Sequence, residues 1–149
     1  MDAANGANDE SLIYQLLLRR SRAIRDRDAD TAVALYTDDA TGFDLDPPLR
    51  HGPAELRDKA RLQAWFATWR GPIESETREL RIELAGDLAF AHALQRMTGT
   101  KVDGQKSDLW YRSTVCLRRE RGTWRIAHQH ASVPFLMDGS DRAALDLEP

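Results

Sequence analysis

Apolar and polar positions along this chain follow two different periods, helical in the first part and alternating in the second. From Glu10, the apolar residues Leu12, Ile13, Leu16, Leu17, Ala23 and Ile24 recur at helical spacing, with Asp9 or Ser11 placed to cap the start. Asp28-Ala-Asp30 interrupts that pattern, and Asp30 is placed to cap a shorter second helix through Ala32, Val33, Leu35 and Tyr36. Thr37 to Gly42 breaks the helical period. A short strand, Thr41 to Leu45, then ends at Asp46-Pro47-Pro48, which cannot continue a ladder. Gly52-Pro53 opens a third helix whose stripe is Ala54, Leu56, Ala60, Leu62, Trp65, Phe66 and Trp69, and Gly71-Pro72 stops it.

Beyond that point the alternation of strands takes over. Four strands are predicted, from Glu76 to Ala85, Leu88 to Thr100, Lys106 to Arg119 and Thr123 to Val133. Turn signals separate them at Gly86-Asp87, Asp103-Gly104 and Arg121-Gly122. Three helices followed by a meander give an α+β domain, with an antiparallel sheet curling around the helices. The expected division is a disordered leader over 1–9, the domain over 10–135 and a tail over 136–149, whose Ala143 to Leu147 docks on the body.

Composition narrows the function classes. At 149 residues the chain is one domain with room for a sizeable core. A formal charge of −3 does not suit a nucleic-acid binder, and the arginines from Arg19 to Arg27 are interleaved with helical and acidic positions. The single Cys116 cannot form an internal disulfide and sits in an apolar run, which suits a small core residue in a reducing compartment. The polar, acidic first ten residues do not read as a signal peptide, and no apolar run reaches the roughly 20 residues of a membrane span. A cytoplasmic protein without a membrane or nucleic-acid partner is expected.

Candidate chemistry begins with Trp124-Arg-Ile-Ala-His-Gln-His-Ala-Ser132. In a regular strand, Trp124, Ile126, His128, His130 and Ser132 share one face. Two-residue turns at Asp103-Gly104 and Arg121-Gly122 would pair Arg96 with Tyr111, His92 with Val115 and Val115 with His128. One face then collects Phe90, His92, Leu94, Arg96, Tyr111, Ser113, Val115, Trp124, Ile126, His128 and His130. An apolar surface with a few convergent polar groups is the composition of a small-molecule site. Trp110, Arg112, Arg125 and Gln129 fall on the other face, which looks like an interface. A bulge would exchange the two sets.

On the pocket face, His92 and His128 are candidate general acid–base groups, since imidazole titrates at about 6.5. The bland alternative for each is a histidine held by a local hydrogen bond. His92, His128 and His130 also supply metal-type nitrogens, but residues two apart on a strand lie roughly 6.5–7 Å apart along the backbone, so no metal and no other cofactor is expected.

Three segments together carry a family resemblance: Val33-Ala-Leu-Tyr-Thr-Asp-Asp-Ala-Thr41, the Gly52-Pro53 before the third helix, and Gly122-x-Trp-x-Ile-x-His-x-His-x-Ser132. They resemble the nuclear transport factor 2-like superfamily, most closely its ketosteroid isomerase and polyketide cyclase-like (SnoaL-like) branch, over most of residues 10–135. The last motif also resembles the association domain of calcium/calmodulin-dependent protein kinase. The resemblance implies a conical cavity and a homodimer through the outer sheet face. It also implies a role for Asp44, which follows Asp38-Asp-Ala-Thr41 at the position of the isomerase's proton-shuttling base. The plain alternative is a turn aspartate before Pro47-Pro48. Arg20 falls where that isomerase has its oxyanion-binding tyrosine, and no second acidic donor is found on the pocket face. Arg20 or Arg96 is suited instead to hold a carboxylate or an enolate.

The expected function is therefore binding of a small apolar molecule, with proton transfer of isomerase, cyclase or dehydratase type. Asp44, His128 and His92 are the catalytic candidates. Tyr111, Arg96, Trp124, His130, Phe90, Arg20 and Trp65 are the substrate contacts. The rival reading is a non-catalytic assembly or ligand-sensing domain.

Overall fold

The computed structural model describes residues 2–149, with side chains from residue 5 onward. Its elements in chain order are α1 (Asp2–Arg25), α2 (Ala29–Ala34), β1 (Tyr36–Phe43), α3 (Pro53–Leu56), α4 (Lys59–Phe66), β2 (Trp69–Ala85), β3 (Leu88–Lys101), β4 (Lys106–Glu120) and β5 (Thr123–Ser132). The helices precede the long strands, as the change of period predicts.

Several boundaries differ from the expectation, each for a local reason. α1 begins at Asp2, where a disordered leader was expected; Met1 lies outside the described residues. Alanine at positions 3, 4 and 7 favours helix. Asp9, read as a cap, instead sits inside α1 and accepts hydrogen bonds from Arg119 at 2.7 Å and from Trp124 Nε1 at 3.0 Å. The cap of α2 is Asp28, whose Oδ1 accepts from Thr31 N at 3.1 Å, and not Asp30. The single third helix divides in two because Asp58 accepts from Ala60 N and Arg61 N and so starts α4 afresh. Trp69 and Gly71-Pro72 then belong to β2, which is irregular between Arg70 and Glu74.

The sheet order is β1-β5-β4-β3-β2. β2 to β5 form the expected antiparallel meander, but β1 joins the free edge of β5 in parallel, so the sheet is mixed. Irregularities in β2 and β5 bend the strands and curve the open sheet around α1.

Register decides which side chains face α1. The Arg121-Gly122 turn has φ of 52° and 77°, both in the left-handed region that a two-residue hairpin turn requires, and Glu120 pairs with Thr123 as expected. After Leu117↔Ile126 the next pair is Cys116↔His128, so Ala127 is a bulge. The other hairpin has a three-residue loop, Val102-Asp103-Gly104, closed by Lys101 N donating to Gln105 O at 2.7 Å. Arg96 accordingly pairs with Trp110 and His92 with Thr114, one residue away from the expected Tyr111 and Val115. A shift of one residue sends a side chain to the opposite face.

The inner face therefore carries Ala89, Ala91, Val115, Leu117, Trp124 and Ile126, which pack with Ile13, Leu16 and Leu35 in one core. Ile126 is fully buried, worth about 1.5–3 kcal/mol relative to exposure. A second core joins Ala29, Phe66, Trp69 and Ile73 under α2 and α4. Cys116, expected in the core, lies half-buried on the outer face between its partners Phe90 and His128. Of the stretch expected to dock, only Ala144 is buried, its N–H donating to Pro134 O at 2.8 Å, while Leu145 and Leu147 are exposed.

Candidate functional site

The Ala127 bulge gives the inner face its chemistry. It turns His128 outward and Gln129 inward, beyond Ile126. On α1, Arg20 is one turn beyond the core residue Leu16 and points at the same part of the sheet. Tyr36 opens β1 opposite Ile126, and Asp44 follows the last residue of that strand. α1, β1 with the residue after it, and β5 bring Arg20, Tyr36, Asp44 and Gln129 together.

One amide organises the group. Gln129 Oε1 accepts from Tyr36 Oη at 2.7 Å and from Arg20 Nη2 at 2.5 Å, while its Nε2 donates to Asp44 Oδ1 at 2.7 Å. Two donors on one side and a carboxylate on the other fix the amide's orientation. Arg20 makes no salt bridge among the described residues. Burial works most strongly against its charge, but Tyr36, Tyr111 and Asp44 outweigh it and hold the guanidinium above its ordinary value. Tyr111 lies on the inner face, and burial pushes its phenol up, with Arg20 opposing. A partly buried cation beside two phenols and a carboxylate can hold an anionic oxygen and keep a proton acceptor next to it.

A second cluster adjoins Asp44. His51 is bound to β1 by Gly42 N donating to His51 O at 3.0 Å and His51 N donating to Gly42 O at 2.8 Å. Its Nδ1 is 2.5 Å from Glu55 Oε2, and its Nε2 is 3.5 Å from Asp46 Oδ1. Desolvation is the largest influence on its imidazole and lowers it, but Glu55 and Asp46 together carry it above the ordinary value.

The expected site residues thus divide. Asp44, Arg20 and Tyr111 meet on the inner side. Trp124 is also inward, but it is buried in the core with its Nε1 bonded to Asp9. Trp65 packs against Trp69 at 5.6 Å in the second core. His92, Phe90, Arg96, His128 and His130 lie on the outer face, contrary to expectation, because of the hairpin loop and the bulge. There His128 shares a hydrogen bond with Thr41 Oγ1 at 2.8 Å and packs on Phe43, as does His130. Burial, then His130, lowers the His128 imidazole. Phe90 stacks on His92 at 6.2 Å. Arg96 is occupied by a two-point bond to Asp108, 2.8 Å at each contact.

Tyr36, Gln129 and His51 are not among the residues the sequence points to, and the regular strand register puts Gln129 on the outer face. A visible signal for His51 was its i,i+4 spacing from Glu55 across Gly52-Pro53. Gln129 had none without the bulge. Two open depressions, of about 340 Å³ beside His92 and Arg112 and about 490 Å³ between α1 and β2, lie away from the Arg20 group. No helix is long and apolar enough to cross a membrane among the described residues.

Comparison with known proteins agrees with this architecture. The SnoaL-like domain family matches residues 13–136. An NTF2-like protein of unknown function from Pseudomonas putida KT2440 is 35% identical, covering 96% of this chain and 98% of its own, with a TM-score of 0.84. An NTF2-like superfamily protein from Salmonella enterica serovar Typhimurium LT2 is 17% identical, covering 91% of this chain and 98% of its own, at a TM-score of 0.76. A hexachlorocyclohexane dehydrochlorinase (LinA) type 2 is 14% identical, covering 99% of this chain and 97% of its own, also at 0.76. The last two show likeness of fold alone. No curated protein matches the chain. Helices, curved sheet and family match together place the chain in the SnoaL-like domain family of the nuclear transport factor 2-like superfamily.

Proposed function

We propose that the chain binds a small, largely apolar molecule bearing a carbonyl or carboxylate oxygen, and transfers a proton on it. The observation that carries this reading is Arg20, a partly buried guanidinium without a salt-bridging carboxylate among the described residues, beside Tyr36, Tyr111 and Asp44. A cation so placed is suited to an anionic oxygen. Asp44 takes the proton from a carbon next to the carbonyl, and the C–H electron pair moves to the oxygen facing Arg20. Returning the proton to another carbon completes an isomerisation; loss of a leaving group completes an elimination. The dehydrochlorinase with this fold supports the elimination arm. His92, His128 and Arg96, placed outward, take no part.

The outer face suits a second copy of the chain, giving a homodimer. Trp110 is directed outward there between Arg78, 4.9 Å from its ring, and Arg96, at 6.0 Å.

The test uses a panel of β,γ-unsaturated cyclic ketones in heavy water, read for deuterium incorporation and double-bond migration. Asp44→Asn is expected to lose about 10²–10⁴-fold in rate while still binding the probe. Arg20→Met is expected to weaken both binding and rate. Turnover by Asp44→Asn at the parent rate would overturn the reading.

A further inference from the structure

His51 is 1% exposed, yet its Nε2 has no hydrogen-bond partner among the described residues. Nδ1 explains how the ring is held. It lies 2.5 Å from Glu55 Oε2, and a carboxylate only accepts, so Nδ1 carries the hydrogen. The free Nε2 edge lies 3.5 Å from Asp46 Oδ1. Asp44, Asp46 and His51 each bring one donor atom within 4.8 Å of the others.

From this geometry we infer a binding site for one divalent transition-metal ion, held by Nε2 of His51 and one carboxylate oxygen each from Asp44 and Asp46. Two donors about 2.1 Å from an ion at the tetrahedral angle are about 3.4 Å apart. The 3.5 Å between His51 Nε2 and Asp46 Oδ1 already matches that edge. A carboxylate holding the far nitrogen of the ring is the usual outer support of a metal-binding histidine. Glu55 supplies it.

The surrounding charges leave room for the ion. Arg61 reaches in from α4, with Nη2 3.4 Å from Asp46 Oδ2 and 3.3 Å from His51 Nδ1. It engages Asp46 Oδ2 and is no partner for Nδ1, whose hydrogen goes to Glu55, so Asp46 Oδ1 and Nε2 are left to the site. Gln129 holds Asp44 Oδ1, which leaves Oδ2. One imidazole with two carboxylates suits Zn²⁺ or Mn²⁺; Ca²⁺ and Mg²⁺ prefer all-oxygen surroundings. With the hydrogen on Nδ1, the Nε2 lone pair is the donor the ion takes. Three protein donors leave a fourth position open to water or a ligand oxygen.

Binding requires no chemistry at Asp44 and stands apart from the proton-transfer reading. Where both hold, an ion on Asp44 occupies an oxygen that would receive the proton, so the loaded protein transfers protons more slowly.

Isothermal calorimetry on chelator-treated full chain, titrated with Zn²⁺ and separately with Mn²⁺ near neutral pH, tests the site. One ion per chain is expected. Asp46→Asn, at an exposed position, and His51→Gln should each weaken binding at least about 10-fold, and Glu55→Gln should do so through the ring it orients, by about 10–100-fold. Circular dichroism confirms that each variant is folded, and Asp138→Asn on the distant tail should bind like the parent. Absence of saturable heat with both metals would overturn the proposal. So would affinity unchanged in Asp46→Asn and His51→Gln. Proton transfer is assayed separately in chelator, so failure of either reading is visible without the other.

Discussion

Gln129 Nε2 donates to Asp44 Oδ1 across the β1–β5 edge at 2.7 Å, and the same amide accepts from Arg20 on α1. Gln129 therefore ties the helix to the carboxylate. Replacing it with methionine of similar size leaves Arg20, Tyr36 and Asp44 each short of a partner. We expect Gln129→Met to lose about 1–3 kcal/mol of stability, since a buried polar group stripped of its partner keeps its desolvation cost. Urea unfolding would register this as an earlier midpoint at unchanged slope. A midpoint equal to the parent's would show that the amide constrains nothing.

A second prediction concerns the N-terminal part of α1. The hydrogen bond from Trp124 does most to hold the Asp9 carboxyl below its ordinary value; burial opposes, and Arg119 adds to the lowering. A carboxylate lowered in the folded state stabilises above its unfolded pKa of about 3.9, and that stabilisation is lost as pH falls through the lower folded value. Asp9→Asn should melt earlier than the parent near neutral pH. The gap should narrow below about pH 4 and close in stronger acid. Melting curves across pH check the sign, and a gap that widens in acid would contradict it.

Much of this architecture is legible in the sequence. The periods at Leu12–Leu17 and Thr123–Ile126, and the Arg121-Gly122 turn, are local signals, and local geometry obeyed them. What failed was parity. Whether His128 faces in or out depends on one unpaired residue, Ala127, and no side-chain preference marks alanine as a bulge. Likewise Asp103-Gly104 suits a two-residue turn, but the backbone closes around Val102 as well. The inward placement of Asp44 and Arg20 rests on β1 and α1, where neither irregularity acts. Each strand histidine sits beyond one of them, His92 past the hairpin loop and His128 and His130 past the bulge, and so turns outward.

The dimer reading has its own test. Trp110 on the outer face is flanked by Arg78 and Arg96, with Asp108 holding Arg96 in place. Trp110→Asp removes the aromatic surface and adds a charge that a self-complementary interface meets twice. Sedimentation should show a dimer for the parent and a monomer for this variant, with circular dichroism unchanged. A parent that sediments as a monomer at micromolar concentration would end the reading.

The last prediction turns on a glycine. A Cβ at Gly99 would lie 2.7 Å from Trp69 Cζ3 and 2.8 Å from Cε3, well inside contact distance. The Trp69 ring cannot easily retreat. It is 2% exposed, with Trp65 5.6 Å away on one side and Lys101 Nζ 3.6 Å from its centre. Gly99→Ala should therefore cost about 1–3 kcal/mol through overpacking. Because Gly99 is in a strand with no left-handed φ, alanine itself suits the backbone, by about 0.5–1 kcal/mol over glycine. The steric origin can be isolated in a double-mutant cycle. With Trp69→Leu already in place, adding Gly99→Ala should be neutral or stabilising in urea unfolding. Equal destabilisation in both backgrounds would place the cost in the backbone and remove Trp69 as its cause.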